Sequence, residues 1–213
     1  MHTLTEIGIR YNTDKATLHK FTDFYENQLS HLKNDSIKLL EIGVLNGGSL
    51  KMWEEFFPQG TIYGADINDK THLQTARIFT QKCNQENPES LKSLFAPLVF
   101  DVVIDDGGHT MLQQQLTLLY LLPKIRSGGK FIMEDLHTSY RKFRGHNKNN
   151  KKTTMSLLTQ YSDFFSDNLP EESVLDGYEI LPEEVASIRS RIHDVTIWSG
   201  PGCRSVTSII TVK

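Results

Sequence analysis

Apolar stretches that fit β-strands alternate along the chain with segments whose apolar residues recur at helical spacing. Several apolar stretches are continuous, as in strands that are covered on both faces of a sheet. The predicted strands are 37–44, 61–67, 77–80, 99–105, 129–134, 188–198 and 205–212. The predicted helices are 49–57, 112–125 and 153–168, and Pro123 should end the second of them. This alternation indicates an α/β fold with a doubly wound, mostly parallel sheet.

The last two predicted strands, 188–198 and 205–212, break the parallel pattern. Only a short turn that begins at Ser199 separates them, whereas a parallel crossover needs about a dozen residues or more. They should therefore pair as an antiparallel C-terminal hairpin, which would close a Rossmann-like sheet of seven strands. Residues 1–36 are then an N-terminal helical segment, and residues 37–213 form the rest of a single domain.

Composition favours one globular domain and excludes several classes of protein. The chain has 213 residues, of which 38% are hydrophobic and 23% charged, enough for one sizeable core. A formal net charge of -3 argues against a general nucleic-acid or membrane binder. No apolar run approaches the ~20 residues of a membrane span, and the N-terminus lacks a signal-peptide pattern. Cys83 and Cys203 form no CxxC pair, so we expect neither a disulfide framework nor a thiolate zinc site, and a cytoplasmic location.

The segment 141–152 is basic, rich in asparagine and nearly free of apolar residues. We predict an irregular, mobile loop here, just beyond the fifth strand, at the edge where α/β proteins place their binding sites. Two interpretations are open: a solvated linker, or a lid that attracts a negatively charged substrate.

A glycine-rich turn joins the first predicted strand to the helix that follows it. Gly43 and Gly47 allow the backbone to turn sharply and to approach a ligand closely, and Ser49 can cap the helix. The exposed N–H groups of such a turn favour anionic or polar ligands. The spacing Gly43-x-x-x-Gly47-Gly48 differs from the GxGxxG pattern of dinucleotide-binding loops, so NAD is the less fitting ligand.

Asp66 ends the second predicted strand. An acidic side chain at this position can accept two hydrogen bonds from ribose hydroxyls. The alternative is an aspartate that only shapes the turn after the strand. Together, the glycine-rich turn and the downstream acid favour a cofactor that carries a ribose.

Two pairs of adjacent carboxylates stand at the carboxyl ends of neighbouring predicted strands. Asp105 and Asp106 end the fourth strand and are followed by two glycines and His109, whereas Glu134 and Asp135 end the fifth. In a doubly wound sheet these ends converge on one crevice, where four carboxylates would repel one another. A bound cation would relieve this repulsion, and oxygen ligands suit Mg²⁺ or Mn²⁺.

Other interpretations of these side chains are open. For any single carboxylate, a helix cap or a solvent-facing position is the simpler explanation, and only the two pairs together favour a metal site. Iron is the rival metal, because His109 and His137 could supply the two histidines that some oxygenase centres combine with one carboxylate.

Several of these segments together resemble one known family. They are similar to the class I S-adenosylmethionine-dependent methyltransferases, and among these to the macrolide sugar O-methyltransferases of the mycinamicin type. The cephalosporin-hydroxylase-like group is related to the same enzymes. The similar segments are 12–26, 41–49, 84–88, 104–109 and 134–140, with Asn84 in place of the family's usual acid.

The resemblance implies a site as well as a fold. Residues 37–213 would be the methyltransferase domain, with S-adenosylmethionine and Mg²⁺ or Mn²⁺ as cofactors. Asp106, Asp135 and Glu26 would be the metal ligands and His109 the general base, although the residue pattern alone favours an exposed helix position for Glu26. The residues that would bind S-adenosylmethionine are Glu41, Gly43, Gly47, Ser49, Asp66, Asn84, Gln85 and Asp105.

The reaction expected from this resemblance is methyl transfer to a hydroxyl of a sugar or glycoside. The partner would be a small-molecule acceptor, an anionic one if segment 141–152 is a lid, and neither a nucleic acid nor a membrane. A homo-oligomer is compatible with the sequence. Three alternatives stay open: an iron-dependent hydroxylase, a non-catalytic module that binds S-adenosylmethionine, and a catechol-type methyltransferase.

Overall fold

A computed structural model describes residues 2–162, 176–200 and 205–213, and its main feature is a seven-stranded sheet. The strands are β1 (Lys38–Ile42), β2 (Thr61–Asp66), β3 (Ile78–Lys82), β4 (Phe100–Asp105), β5 (Ile125–Met133), β6 (Ile192–Trp198) and β7 (Thr207–Val212). Their order in the sheet is β3-β2-β1-β4-β5-β7-β6. The first five are parallel, whereas β7 is antiparallel to both β5 and β6. The predicted Rossmann-like α/β fold with a C-terminal antiparallel hairpin is confirmed.

Eight α-helices accompany the sheet in the described part of the chain. They are α1 (Leu4–Arg10), α2 (Asp14–Thr17), α3 (Thr22–Leu29), α4 (Gly48–Phe56), α5 (Pro88–Ser93), α6 (Met111–Leu121), α7 (Thr154–Leu158) and α8 (Pro182–Arg191). Two of them begin with reciprocal capping boxes, Thr3 with Glu6 before α1 and Thr110 with Gln113 before α6. Within the described ranges, none of these helices combines the length and the apolar character that a bilayer crossing requires.

Some predicted boundaries are wrong. Residues 188–191 are the last residues of α8 and not the start of a strand, because Pro182 is favourable at the first position of a helix and the helix runs on to Arg191. β5 begins earlier than predicted, at Ile125. The helix before it ends as α-helix at Leu121 and continues only as a short 3₁₀ turn that contains Pro123, which cannot donate a helical hydrogen bond.

Two other predicted segments are described only in part. The basic segment 141–152 is not wholly irregular, since 3₁₀ turns span Arg141–His146 and Lys151 forms a β-bridge with Asp176. The predicted helix 153–168 contains α7 and a 3₁₀ turn, and its residues beyond 162 lie outside the described residues. Cys203 and most of the predicted hairpin turn lie outside them as well.

Apolar side chains cover both faces of the sheet, so the protein has two cores. Leu40 and Ile42 of β1 belong to one core and Leu39 to the other, as the alternation of side chains along a strand requires. The second core also contains Phe21 and Tyr25 from the N-terminal segment together with residues of α4. Residues 2–36 therefore pack directly on the sheet, close to the carboxyl ends of its strands.

Candidate active site

The glycine-rich turn after β1 has the backbone shape that the sequence indicates. Gly43 and Gly47 have φ angles of 86° and 78°, in the left-handed region that glycine adopts without strain. The N–H of Gly43 donates to the carbonyl oxygen of Ala65 in β2, at 2.8 Å. The predicted capping role of Ser49 is wrong, because Gly47 is the N-cap residue of α4 and Ser49 is a buried residue of its first turn.

Asp66, at the end of β2, is hydrogen-bonded to the glycine-rich turn. Its Oδ2 accepts hydrogen bonds from the N–H groups of Val44 at 3.0 Å and Leu45 at 3.3 Å. Its Oδ1 accepts one from the N–H of Asn68 at 2.8 Å, and the ammonium group of Lys70 lies 3.7 Å from Oδ2. The carboxylate therefore shapes the turn and also lines the cleft beside it.

Gln85 connects the segment after β3 with the segment after β4. Its Nε2 donates to Oδ1 of Asp105 at 2.8 Å, and its Oε1 accepts from the N–H of Gly108 at 2.7 Å. Burial raises the pKa of Asp105 to about 6, although hydrogen bonds from Gly107 and Gln85 act to lower it. Asn84 and Gln85 line the cleft, whereas the buried Asp105 stands behind it.

Lys15 is the centre of a buried ionic cluster. Its side chain is 0% exposed, and Nζ lies 2.5 Å from Oδ2 of Asp106, 2.8 Å from Oε1 of Glu134 and 3.1 Å from Oε1 of Glu41. Burial lowers the pKa of Lys15, but the three carboxylates outweigh it and raise this pKa well above its usual value. Burial also raises the pKa of Glu41 to about 7, against the effect of Lys15.

Asp106, His109 and Asp135 form the group that could hold a metal ion. Their ligand atoms all lie within 4.8 Å of one another, and Nε2 of His109 is 2.9 Å from Oδ2 of Asp135. Burial acts to lower the pKa of His109, but the hydrogen bond to Asp135 and the nearby carboxylates raise it overall. Burial acts to raise the pKa of Asp135, but His109 and Ser205 hold it well below its usual range.

Asp135 accepts a hydrogen bond from the C-terminal end of the chain, next to the antiparallel hairpin. Its φ angle of 55° is uncommon for a residue other than glycine. The hydroxyl of Ser205, just before β7, donates to Oδ1 of Asp135 at 2.5 Å, and Nδ1 of His137 lies 2.8 Å from the same hydroxyl. The antiparallel hairpin thus takes part in placing a candidate metal ligand.

Glu26 does not join this group. Its Oε2 accepts a hydrogen bond of 2.7 Å from the N–H of Leu4, the first residue of α1. Of the three expected metal ligands, the structure brings Asp106 and Asp135 together, and His109, the expected general base, lies beside them.

Sequence reasoning misses two residues of the site, Lys15 and Ser205. Lys15 lies in segment 12–26, whose resemblance to the family indicates a role for that segment. A single lysine among polar residues, however, has the pattern of a surface position. Ser205 is the first residue of the predicted strand 205–212 and carries no local signal of a site. Its partner Asp135 comes close only through the pairing of β5 with β7.

One cleft of about 860 Å³ joins these features. Its lining includes Gly43 and Asp66 from the glycine-rich side, and His109 and Asp135 from the candidate metal group. Residues 10–14 of the N-terminal segment line it too. A cleft of this size is typical of sites for small molecules.

Comparison with known proteins finds relatives by sequence, although no protein-family model matches the chain. Demethylmacrocin O-methyltransferase from Streptomyces fradiae is 38% identical over 183 residues, which cover 80% of this chain and 46% of the relative. Mycinamicin VI 2''-O-methyltransferase from Micromonospora griseorubida is 40% identical over 148 residues, 64% of this chain and 37% of the relative. The chain therefore spans less than half the length of these curated relatives.

The fold is also similar to that of a solved structure. The MycE methyltransferase from the mycinamicin biosynthetic pathway, in complex with Mg and SAH, has a TM-score of 0.76 and 28% sequence identity, over 99% of this chain and 55% of that chain. A complex of MycE with Mg, SAH and mycinamicin VI has a TM-score of 0.74.

Proposed function

We propose that this chain, a homologue of the mycinamicin-type sugar O-methyltransferases with their class I methyltransferase fold, transfers a methyl group from S-adenosylmethionine to a hydroxyl of a sugar or glycoside. One observation carries the proposal. His109, bonded to Asp135 and beside Asp106, faces the same cleft as the glycine-rich turn. The proposed base, the candidate metal group and the glycine-rich turn thus line one cleft.

We assign the cofactor to the glycine-rich side of the cleft. The expected cofactor-binding residues that line the cleft are Gly43, Ser49, Asp66, Asn84 and Gln85, and we assign them direct contacts with S-adenosylmethionine. The N–H groups of Val44, Leu45 and Asn68 use three of the four carboxylate lone pairs of Asp66, so one lone pair on Oδ1 is left for a ribose hydroxyl while the bonds to the turn persist. We assign a supporting role behind the cleft to the other three residues, Glu41, Gly47 and Asp105.

The donor set of the candidate metal group fits Mg²⁺ or Mn²⁺. Asp106 and Asp135 offer carboxylate oxygens, which suit both ions, and Glu26 is left out because it binds the N–H of Leu4. A divalent cation bound there would stabilise negative charge that develops on the acceptor hydroxyl. An iron centre of the two-histidine type fits less well, since within the described residues this group contains His109 as its single histidine.

We assign His109 the role of general base. When its Nε2–H donates to Asp135, its Nδ1 carries the lone pair that accepts the proton of the acceptor hydroxyl. The acceptor oxygen then bonds to the methyl carbon as the bond from that carbon to sulfur breaks, which leaves a methyl ether and S-adenosylhomocysteine. Asp135 stabilises the imidazolium that forms, as in other carboxylate–histidine pairs.

The acceptor we propose is a small-molecule sugar or glycoside, and an anionic one would be attracted by the lysines of segment 141–152. We also infer that residues 1–36 and 37–213 act as one methyltransferase domain, because residues 10–14 line the cleft. A reducing cytoplasm suits this enzyme, since Cys83 is a buried free thiol.

Calorimetric titration of S-adenosylhomocysteine into the protein, with Mg²⁺ and with EDTA, tests the proposal. We expect binding in both conditions, followed by Mg²⁺-dependent methyl transfer to members of a sugar panel. Asp135→Asn should keep cofactor binding and lose Mg²⁺-dependent transfer, whereas the matched surface change Asp35→Asn should alter neither. Absence of binding in both conditions would refute the assignment as a methyltransferase.

A further inference from the structure

A second cavity, of about 490 Å³, lies apart from the cleft of the candidate active site. The end of segment 141–152, residues 177–182 and helix α8 line it. None of the described residues lines both cavities. The volume of the second cavity falls within the range of sites for small molecules.

The walls of the second cavity are attached to helix α6 by Gln115, whose side chain is fully buried. Its Nε2 donates to the carbonyl oxygen of Lys152 at 2.9 Å, and its Oε1 accepts from the N–H of Glu179 at 2.8 Å. The N–H of Lys152 also donates to the carbonyl oxygen of Gly177, at 3.1 Å. These bonds fix the backbone of the lining, so a ligand has less to order when it binds.

Two buried donors in this lining have no acceptor. The hydroxyl of Tyr178 and Nε of Arg189 are both buried, and neither has a hydrogen-bond partner among the described residues. Nζ of Lys152 lies 5.7 Å from the centre of the Tyr178 ring, which places a third donor near them. Buried donors in native proteins are almost always paired with a protein group, a water or an ion. An oxyanion in the cavity would accept from these donors.

The charge of the lining also favours an anion. Lys151, Lys152 and Arg189 are cations, and Glu179 is the single carboxylate among the described residues of the lining, which gives a formal charge of +2. Nδ2 of Asn149 lies 3.3 and 3.4 Å from the two oxygens of Glu179 and donates to them. A phosphate ester carries a charge of about −1.5 to −2 near pH 7 and matches this lining better than a carboxylate does.

The rest of the lining is apolar. Ile180 and Val185 are buried, whereas Leu181 is 57% exposed although it is a large hydrophobic residue. Val185 and Arg189 are four residues apart and lie on one face of α8, so the apolar wall leads to the guanidinium group. A ligand with an apolar or planar body next to its phosphate would cover this wall.

We propose that the second cavity binds a phosphate ester with an apolar or planar body. Tyr178, Lys152 and Arg189 bind the phosphate, and the body packs on Leu181 and Val185. Two sources can supply such a ligand: the acceptor of the methyl transfer, or a separate metabolite that regulates the enzyme. Both are compatible with the position of the cavity beside α6, the helix that begins just after the candidate metal group.

Calorimetric titration of phenyl phosphate into the full chain tests this site. The wild type should bind it, and Arg189→Met should bind it at least about tenfold more weakly, because a charge-assisted hydrogen bond is lost. Arg191→Met, at the end of the same helix and outside the described lining, should bind like the wild type. Lys152→Met should also weaken binding, whereas Lys148→Met, an exposed lysine of the same segment, should not.

Tyr178→Phe separates a binding role from a structural one. It should lower the affinity for phenyl phosphate by about threefold or more, because one donor to the phosphate is lost. The thermal stability of the ligand-free protein should stay the same or rise, because the hydroxyl that is removed is buried and unpaired within the described residues. A Tyr178 that only supports the fold would not produce this pair of effects.

A wild type that does not bind phenyl phosphate, or an Arg189→Met variant that binds it equally well, would overturn the inference. Initial rates distinguish the two sources. A KM of Arg189→Met that rises for a sugar phosphate and not for the parent sugar identifies the acceptor. A rate with the parent sugar that phenyl phosphate changes in the wild type, and not in Arg189→Met, identifies a regulator. The binding test needs no methyl transfer, so it stands even if the proposed function fails.

Discussion

A β-carbon added to Gly43 would stand 1.9 Å from the main-chain oxygen of Asp106, so the turn after β1 and the segment after β4 pack backbone against backbone. The N–H of Asp106 also donates to the carbonyl oxygen of Ile42, at 2.9 Å. The turn assigned to the cofactor therefore packs against the backbone of Asp106, whose carboxylate belongs to the candidate metal group. A side chain at position 43 has to displace one of them.

Gly43→Ala should destabilise the protein by about 3 kcal/mol, from a left-handed φ angle that L-residues adopt only with strain and from the clash with Asp106. Denaturation by urea measures the change in the free energy of unfolding. Gly145→Ala is the matched control, because a β-carbon there meets nothing within 4 Å. Its effect should stay within about 0.5 kcal/mol. Equal effects of the two substitutions would contradict the proposed packing.

Two serines near the C-terminus should respond in opposite ways to the same substitution. Ser205→Ala removes the hydroxyl that donates to Asp135, and it should cost about 1–3 kcal/mol because a buried carboxylate oxygen loses its donor. Ser208→Ala removes a buried hydroxyl that has no hydrogen-bond partner within the described residues, and it should be neutral or stabilising. Thermal unfolding of both variants and of the wild type, in the absence of metal, measures the change in stability that each substitution causes. A loss of stability in Ser208→Ala as large as that in Ser205→Ala would show that the bond to Asp135 is not the cause.

The positions of several candidate site residues at strand ends follow from local sequence, and the structure has them there. The turn at Gly43 and the pairs that end in Asp106 and Asp135 each stand at the end of a strand. Strands are recognisable from continuous apolar runs, and parallel strands bring their carboxyl ends to one edge. The positions of residues at those strand ends can therefore be predicted once the order of the strands is known.

Contacts that join distant segments could not be predicted in this way. Lys15 meets Asp106 and Glu134 across 91 and 119 residues of chain, and its partners are fixed by the packing of the N-terminal helices on the sheet. Glu26 was expected near the metal by resemblance alone, and the same packing directs it to the N–H of Leu4. The start of β6 was also placed wrongly. Ile188, the single apolar residue of 188–191, suits either a strand or the buried face of a helix.

Cys83 should react slowly with thiol reagents in the folded protein. It is 3% exposed, and burial raises the pKa of its thiol, so the reactive thiolate is scarcer at pH 8 than in the unfolded chain. In a Cys203→Ser background, which leaves Cys83 as the single thiol, alkylation should be at least about tenfold slower in buffer than in urea. Its rate should rise with the fraction of unfolded protein. Equal rates in buffer and urea would contradict the burial of this side chain.

His109→Ala should separate cofactor binding from turnover. His109 is bonded to Asp135 on the metal side of the cleft, whereas the residues assigned to S-adenosylmethionine lie around Gly43 and Asp66. Loss of a general base should lower kcat by about 10²–10⁴-fold, while the affinity for S-adenosylhomocysteine stays within a factor of about three. His31→Ala, an exposed histidine outside the site, controls for the substitution itself.

Calorimetry gives the affinity for S-adenosylhomocysteine, and an initial-rate assay on the same preparations gives kcat. His109 also belongs to the candidate metal group, so its loss could lower turnover by weakening metal binding. Raising the Mg²⁺ concentration distinguishes this cause from loss of the base. A defect in metal binding should be relieved by excess Mg²⁺, whereas loss of the base should not. Full turnover of His109→Ala would reject His109 as the base, and proton removal would then have to be assigned to another group in the cleft.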